Sequence, residues 1–226
     1  MKKYGVFDVI GPIMIGPSSS HTAGAARLGK VARTIAGGDV RKVEFLLHGS
    51  FAKTYRGHGT DRALVAGILG MEPSDVRLRN ALDIAKEKGI EVIFTEADLG
   101  DNHPNTVKFL MTNSQDEICT VMGSSIGGGS IVITEVNEQE VEFTGEYPTI
   151  IISHTDVPGV VSMVTNILFG IDINIAFMKV FRKEKGKEAA MIFEVDTPIP
   201  TNLEEKISLI SAVKKIITIN PVREGV

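Results

Sequence analysis

Hydrophobic positions change period several times along the chain, and each change marks an element. The clearest stretch is C-terminal. Thr149-Ile150-Ile151-Ile152-Ser153-His154 is rich in β-branched residues and predicts a strand. Thr155-Asp156-Val157-Pro158-Gly159 predicts a turn. Beyond it, apolar residues at Val160, Met163, Val164, Ile167 and Leu168 recur at helical spacing as far as Phe169. Asp156 is placed to cap that helix and Gly170 to end it. Asn174–Phe181 alternates as a second strand, Arg182–Glu188 is a charged hairpin tip, and Ala189–Val195 is a third strand. After the break at Thr197-Pro198-Ile199-Pro200, Leu203–Ala212 is amphipathic and Val213–Ile219 is a last short strand. The order βαββαβ is that of a ferredoxin-like domain.

The N-terminal part alternates less regularly. Val6–Ile10 predicts a strand, and a helix follows over about Thr22–Gly37. Arg41–His48 predicts a strand with Val43, Phe45 and Leu47 on one face. Helices are predicted over Asp61–Gly70 and Arg77–Lys88, and strands over Glu91–Thr95 and Thr106–Thr112. Two more strands, Glu117–Met122 and Ser130–Val136, flank the glycine-rich Gly123–Gly129. This part is mixed α/β, so the fold class is α+β with two domains, 1–147 and 148–226.

Composition narrows the function classes. The chain has 226 residues, is 43% hydrophobic and carries a net charge of -4, which excludes a disordered chain. One cysteine excludes an internal disulfide, a multi-cysteine zinc site and an iron–sulfur cluster held by this chain alone. Mild acidity leaves no electrostatic footprint for nucleic acid. No run approaches the ~20 apolar residues of a membrane span. Asp8, Gly11 and Pro12 interrupt the only stretch that resembles a signal peptide, so a soluble, cytoplasmic protein is expected. Glycine is concentrated in residues 1–145, with 19 of the 23, as are four of the five histidines. The site-bearing part is therefore expected there.

Four segments hold candidate chemistry. In Gly16-Pro17-Ser18-Ser19-Ser20-His21-Thr22-Ala23-Gly24, hydroxyls and an imidazole stand just before a helix. Free N–H groups and the helix dipole suit a small carboxylate or a phosphate. The plain alternative is an N-cap loop with surplus serines. The histidine favours function, because imidazole is costly to bury unpaired and useful in acid–base steps. Gly24 to Val31 fits G-x-x-x-x-G-K but ends in Val31, not Ser or Thr, which rejects a nucleotide loop. The second segment is His48-Gly49-Ser50 with Gly57-His58-Gly59-Thr60-Asp61, where flanking glycines let His58 approach a ligand. Asp61 there is better read as a helix cap than as an imidazole partner. The third, Asn102-His103-Pro104-Asn105-Thr106, is a turn. The fourth, Gly123–Gly129, is either a β-bulge turn or a close approach to a ligand. Cys119 reads as a small buried hydrophobe, and His154 as structural.

These segments, in this order, resemble the β chain of bacterial iron–sulfur-dependent L-serine dehydratase over essentially the whole length. The resemblance implies an N-terminal "allosteric substrate binding" domain, a fold shared with some phosphoglycerate dehydrogenases. It also implies a C-terminal ACT domain that self-associates side by side and senses an amino acid. The implied reaction takes L-serine to pyruvate and ammonia. The implied cofactor is a [4Fe–4S] cluster ligated by a separate α chain, so this chain holds no metal of its own. Carried over, Ser18, Ser19, Ser20, Thr22 and Gly24 contact substrate, with Asn102, His103, Asn105 and Gly128 as further substrate residues. His58 is the leading acid–base group and His21 the second. Asp156, Pro158, Gly159 and Asn174 form the implied effector site. The alternative is a serine-sensing regulatory subunit with no part in chemistry.

Overall fold

The computed structural model describes residues 13–182 and 184–220; the expected strand Val6–Ile10 lies outside them. The chain divides into two compact units, 1–138 and 139–226. The stretch 139–147, between this division and the 147/148 boundary read from the sequence, holds a short strand and the turn after it.

In the first unit a π-helical turn, Ser19–Gly24, runs directly into α1, Ala25–Ile35. There follow β1 (Val40–Leu47), α2 (Gly49–His58) and α3 (Thr60–Ile68). A 3-10 turn, Val76–Asn80, leads into α4 (Ala81–Glu87) and β2 (Glu91–Glu96). The remaining strands are β3 (Thr106–Asn113), β4 (Ile118–Gly127) and β5 (Ser130–Val136). They lie in the order β2-β1-β3-β4-β5, with β2 parallel to β1 and the other neighbours antiparallel. Val43, Phe45 and Leu47 of β1 and Val107, Phe109 and Met111 of β3 are buried. Intervening residues carry the pairs Lys42–Glu91 and Lys108–Glu135. One face is thus core and the other polar, as alternation requires.

Helices α1 and α3 cross with almost no side chain between them. A Cβ on Gly29 would stand 2.4 Å from the Leu64 carbonyl oxygen, and one on Gly67 would stand 2.2 Å from that of Ala26. The glycine that made a near-match to a nucleotide loop is therefore a helix-crossing residue. Because α1 continues from the Ser19–Gly24 turn and α3 begins two residues after His58, this crossing sets the two halves of the candidate site against each other.

Four expectations change here. Helix α2 was not predicted, since Gly49, Ser50 and Gly57 are poor helix formers. Tertiary contacts override that preference: Phe51 and Ala52 are buried, and the Pro104 carbonyl accepts from the N–H groups of Ser50 (2.7 Å) and Phe51 (3.3 Å). His58 therefore ends a helix and does not sit in a glycine loop. Gly59, at φ 72°, supplies the left-handed turn into α3. Asp61 lies in the first turn of α3, with Gly59 at the cap position, and accepts only from the Arg62 N–H (2.8 Å). Finally, β4 continues through Gly123 to Gly127, and the turn into β5 is confined to the residues beside Gly128 (φ 62°). Gly123 must lack a side chain there, because a Cβ would meet Leu28 and Ile133 at 2.8 Å.

The second unit contains β6 (Gln139–Phe143), β7 (Thr149–Thr155), α5 (Val160–Gly170), β8 (Ile175–Arg182), β9 (Glu188–Val195), α6 (Leu203–Ser208) and β10 (Val213–Ile219). The sheet order β10-β7-β9-β8, with each neighbouring pair antiparallel, is the ferredoxin-like arrangement expected from the sequence. Its core joins Ile150 and Ile152 of β7 to Val160, Val164 and Leu168 of α5 and Leu203 and Ile207 of α6. Strand β6, absent from the prediction, lies against β8 and β9 with Val141 and Phe143 buried. Helix α6 stops at Ser208, short of the expected Ala212. Asp156 does not cap α5, because Gly159 (φ 92°) holds the cap position. Its carboxylate turns to the β8–β9 hairpin, accepting from Arg182 Nη1 (3.1 Å) and the Gly186 N–H (3.0 Å).

Candidate active site

The site is built on the turn that opens α1. Ser18 is its N-cap, with Oγ accepting from the His21 N–H at 3.3 Å. That cap fixes the first turn and carries His21 inward, where it is 9% exposed. Both ring nitrogens meet hydroxyls. Nδ1 lies 3.1 Å from Ser20 Oγ and 3.5 Å from Ser18 Oγ, and Nε2 lies 3.1 Å from Ser50 Oγ. A neutral imidazole has one donor and one acceptor nitrogen, and a hydroxyl serves either, so this cage satisfies His21 in both tautomers. Burial, with the charge of nearby His58 adding to it, holds the His21 pKa below the usual histidine value.

His58 faces the same ring from the end of α2. The two imidazoles are T-shaped, with centroids 4.8 Å apart, and Phe51 packs on His21 at 5.3 Å. Unlike His21, His58 is exposed. It lines a cavity of about 230 Å³ together with Gly16, Thr22, Arg56, Arg62 and Arg79. Thr22 Oγ1 is buried and has no hydrogen-bond partner among the described residues. Asp61, between two of these arginines in sequence, is pushed by burial above the usual carboxylate pKa.

The 102–105 turn supports this cluster from behind. The Pro104 carbonyl holds the first turn of α2, and so Ser50. Asn102 Nδ2 donates to the Leu99 carbonyl at 2.7 Å, and His103 Nδ1 accepts from the Asn105 N–H at 3.1 Å. The Asn105 carbonyl accepts from the Ser125 N–H at 3.0 Å. Ser125 in turn packs under Gly24, where a Cβ would stand 2.0 Å from its Oγ. Gly24 is thus buried against β4, and Gly128 is exposed at the hairpin tip.

The structure therefore brings together His21, His58, Ser18, Ser20 and Thr22, with Ser19 opening the same turn. Two contributions escaped the sequence reading. Ser50 belongs to the second segment, but its contact with His21 spans 29 positions and no local pattern shows it. The arginines fall at helix positions where cations are ordinarily read as solvated surface.

In the second unit, Asp156, Pro158 and Gly159 form one turn at the end of β7. Asn174 sits elsewhere. It precedes Ile175, which pairs with Val195, next to Glu194, the partner of Thr149 at the start of β7. At ~3.3 Å per residue, Asn174 and Asp156 stand about 20 Å apart, at opposite ends of the sheet. Hydrogen bonding between Asn174 and Asp196 occupies its side chain. His154, on the core face of β7, is 2% exposed; its Nδ1 meets the Thr155 carbonyl at 2.8 Å.

Comparison with known proteins identifies the family. A family model described as serine dehydratase beta chain matches residues 5–88, which include both histidines. The chain is 45% identical to the L-serine dehydratase beta chain of Peptoniphilus asaccharolyticus over 92% of its own length and 94% of the relative's. It is 44% identical, with the same coverage, to a probable L-serine dehydratase beta chain of Bacillus subtilis. A D-3-phosphoglycerate dehydrogenase of Methanocaldococcus jannaschii is 32% identical over 87% of this chain but only 37% of that enzyme. Among the described residues, no helix is long and apolar enough to cross a membrane. The matching family model and alignment along nearly the full length of two beta chains make this chain a member of the serine dehydratase beta-chain family.

Proposed function

We propose that this chain is the β subunit of a cytoplasmic, two-chain L-serine dehydratase, active only with its α chain. The supporting observation is the buried, hydroxyl-caged His21 set against the exposed His58 at the wall of one cavity. The chain's own residues do not fit an iron–sulfur cluster. Its one cysteine, Cys119, is buried in β4, and the described residues include no group of three or more metal-ligating side chains. The [4Fe–4S] cluster therefore belongs to the α chain in this reading.

What this chain contributes is proton handling and grip. His58 has the exposure to exchange protons with solvent, and it takes the Cα proton of L-serine. Loss of the β-hydroxyl as hydroxide completes the elimination. The aminoacrylate product tautomerises to an imine, and water releases pyruvate and ammonia. His21, neutral at physiological pH, orients the face that His58 presents. Anaerobic assembly with the α chain, followed by pyruvate detection from L-serine, tests the activity. His58→Ala in that complex is expected to lower kcat by ~10² or more, the usual worth of a positioned general base. Near-normal turnover would remove His58 from the role.

The second unit, in the same proposal, is an ACT domain that senses an amino acid and pairs with its copy. Support comes from its fold and from edge strand β8, where Phe177, Met178 and Val180 are each 43% exposed. Unpaired edges of that kind invite a partner strand.

A further inference from the structure

The cavity beside His58 has a feature that proton transfer does not need. Three arginines, Arg56, Arg62 and Arg79, line a space of about 230 Å³. Among the described residues, no carboxylate forms an ion pair with any of them at contact distance. Asp61 exerts only a longer-range pull on Arg56 and Arg62, and its own proton is favoured by burial. Arg77, on the same 3-10 turn as Arg79, makes the contrast plain, since it is gripped by Asp75. Arg56 also lies over the Tyr55 ring, 5.3 Å from its centroid, which leaves Arg62 and Arg79 as the two cations beside the cavity with no carboxylate at contact distance among the described residues; an anion bound there would answer both.

A second observation is independent of charge. Thr22 is 1% exposed, lines this cavity, and has a hydroxyl with no partner. A buried hydroxyl left unpaired is costly, and at the wall of a cavity it is placed to meet a ligand. Gly16 keeps the space above it open. A Cβ there would stand 2.5 Å from Thr22 Oγ1, and the backbone φ of +148° is one that favours glycine. Two of the three serine hydroxyls expected to bind anions are already used. Ser18 and Ser20 both turn to His21 Nδ1.

We propose that this cavity is the carboxylate receptor of the chain, with Arg62 and Arg79 supplying charge, Arg56 flanking them and Thr22 Oγ1 donating the buried hydrogen bond. The ligand class is a small 2-hydroxy or 2-amino acid, held by its carboxylate with its Cα towards His58. The assignment deepens the reading of this site as a serine site and rests on it for the identity of the acid. It moves the carboxylate contact from the serine turn to the arginines.

The test is read on the full chain without its partner, so it fails or succeeds apart from turnover. His21 and His58 ring-proton resonances are followed by NMR while glycolate, L-serine, L-serine methyl ester and inorganic phosphate are titrated in separately. Glycolate and L-serine are expected to shift His58, and the methyl ester, which has no carboxylate, is expected to leave it unmoved. Arg62→Gln and Arg79→Gln should each weaken glycolate about tenfold, the worth of one charge-assisted hydrogen bond. Thr22→Val should weaken it several-fold, and Arg33→Gln, at the far end of α1, should change nothing. Three results would overturn the proposal: no shift with glycolate or L-serine, wild-type glycolate affinity in both arginine variants, or binding of phosphate without binding of glycolate. If the assembled enzyme does not turn over L-serine but the glycolate pattern holds, the serine reading falls and the carboxylate receptor stands.

Discussion

Replacing Gly67 by alanine sets two opposing effects against each other, and the geometry decides between them. Helix propensity alone predicts a gain of about 1 kcal/mol for Gly→Ala inside a helix. The crossing with α1 predicts a loss. The new Cβ would lie 2.2 Å from the Ala26 carbonyl oxygen and 2.7 Å from Gly29 Cα. Carbon–oxygen contacts settle near 3.3–3.6 Å, so the helices must separate by about 1 Å. Both obstructing atoms are backbone, and no rotamer relieves them. Overpacking of this kind costs ~1–3 kcal/mol, and the upper end applies here, for a net loss of about 2 kcal/mol. Gly57→Ala is the control. Nothing lies within 4 Å of its Cβ position, so propensity acts alone and the variant should gain about 0.5–1 kcal/mol. Urea midpoints by circular dichroism, at unchanged m-value, measure both. A Gly67→Ala midpoint at or above wild type would refute the crossing argument, as would equal losses in the two variants. The same separation would pull the His21 turn from His58, so the ring-proton shifts of both should move in Gly67→Ala.

Ser50→Ala should cost ~1–3 kcal/mol, because it leaves His21 Nε2 buried without a partner, and urea unfolding reads that loss. Stability should also depend on His21 protonation. Its folded pKa lies below the value of 6.5 that it regains on unfolding, so the unfolded chain binds more protons between the two. The contribution is whole above about pH 6.5 and is lost as pH falls through that window. His21→Gln should flatten that part of a midpoint-against-pH curve, and an unchanged slope would remove His21 as its source. Val180→Lys on edge strand β8 should lower the mass seen by light scattering if the second unit pairs through that edge.

The second unit was nearly legible from sequence because its signals are local. Three isoleucines in a row, helical spacing from Val160 to Leu168, and a charged tip at Gly186 each declare an element within ten residues. The order of elements then leaves few topologies. The first unit resisted where long-range contacts override local preference. Helix α2 depends on the Pro104 carbonyl, about fifty positions away, and on burial of Phe51. Gly29 and Gly67 fall inside helices the sequence predicts and Gly123 in a glycine-rich segment, and nothing local says why these positions are glycine. Each is glycine because another backbone or side chain occupies the place of its Cβ. The same difference separates the site residues. The serine-histidine run was visible because it is contiguous. Ser50 and the arginines were not, because their relation to it exists only after folding.

The pairing of the two histidines also limits how they share work. Two imidazolium rings with centroids 4.8 Å apart would repel, and burial decides where the penalty falls. His21 is buried, so its charged form is penalised twice, by lost solvation and by its neighbour. The hydroxyls around it accommodate a neutral ring in either tautomer at no cost in hydrogen bonds. The open ring, His58, is therefore the one of the two that a ligand in the cavity can reach, while the caged ring holds its geometry. Burial thus divides the pair into a fixed member and an accessible one, and that division follows from where the Ser18–Thr22 turn and the end of α2 place each ring.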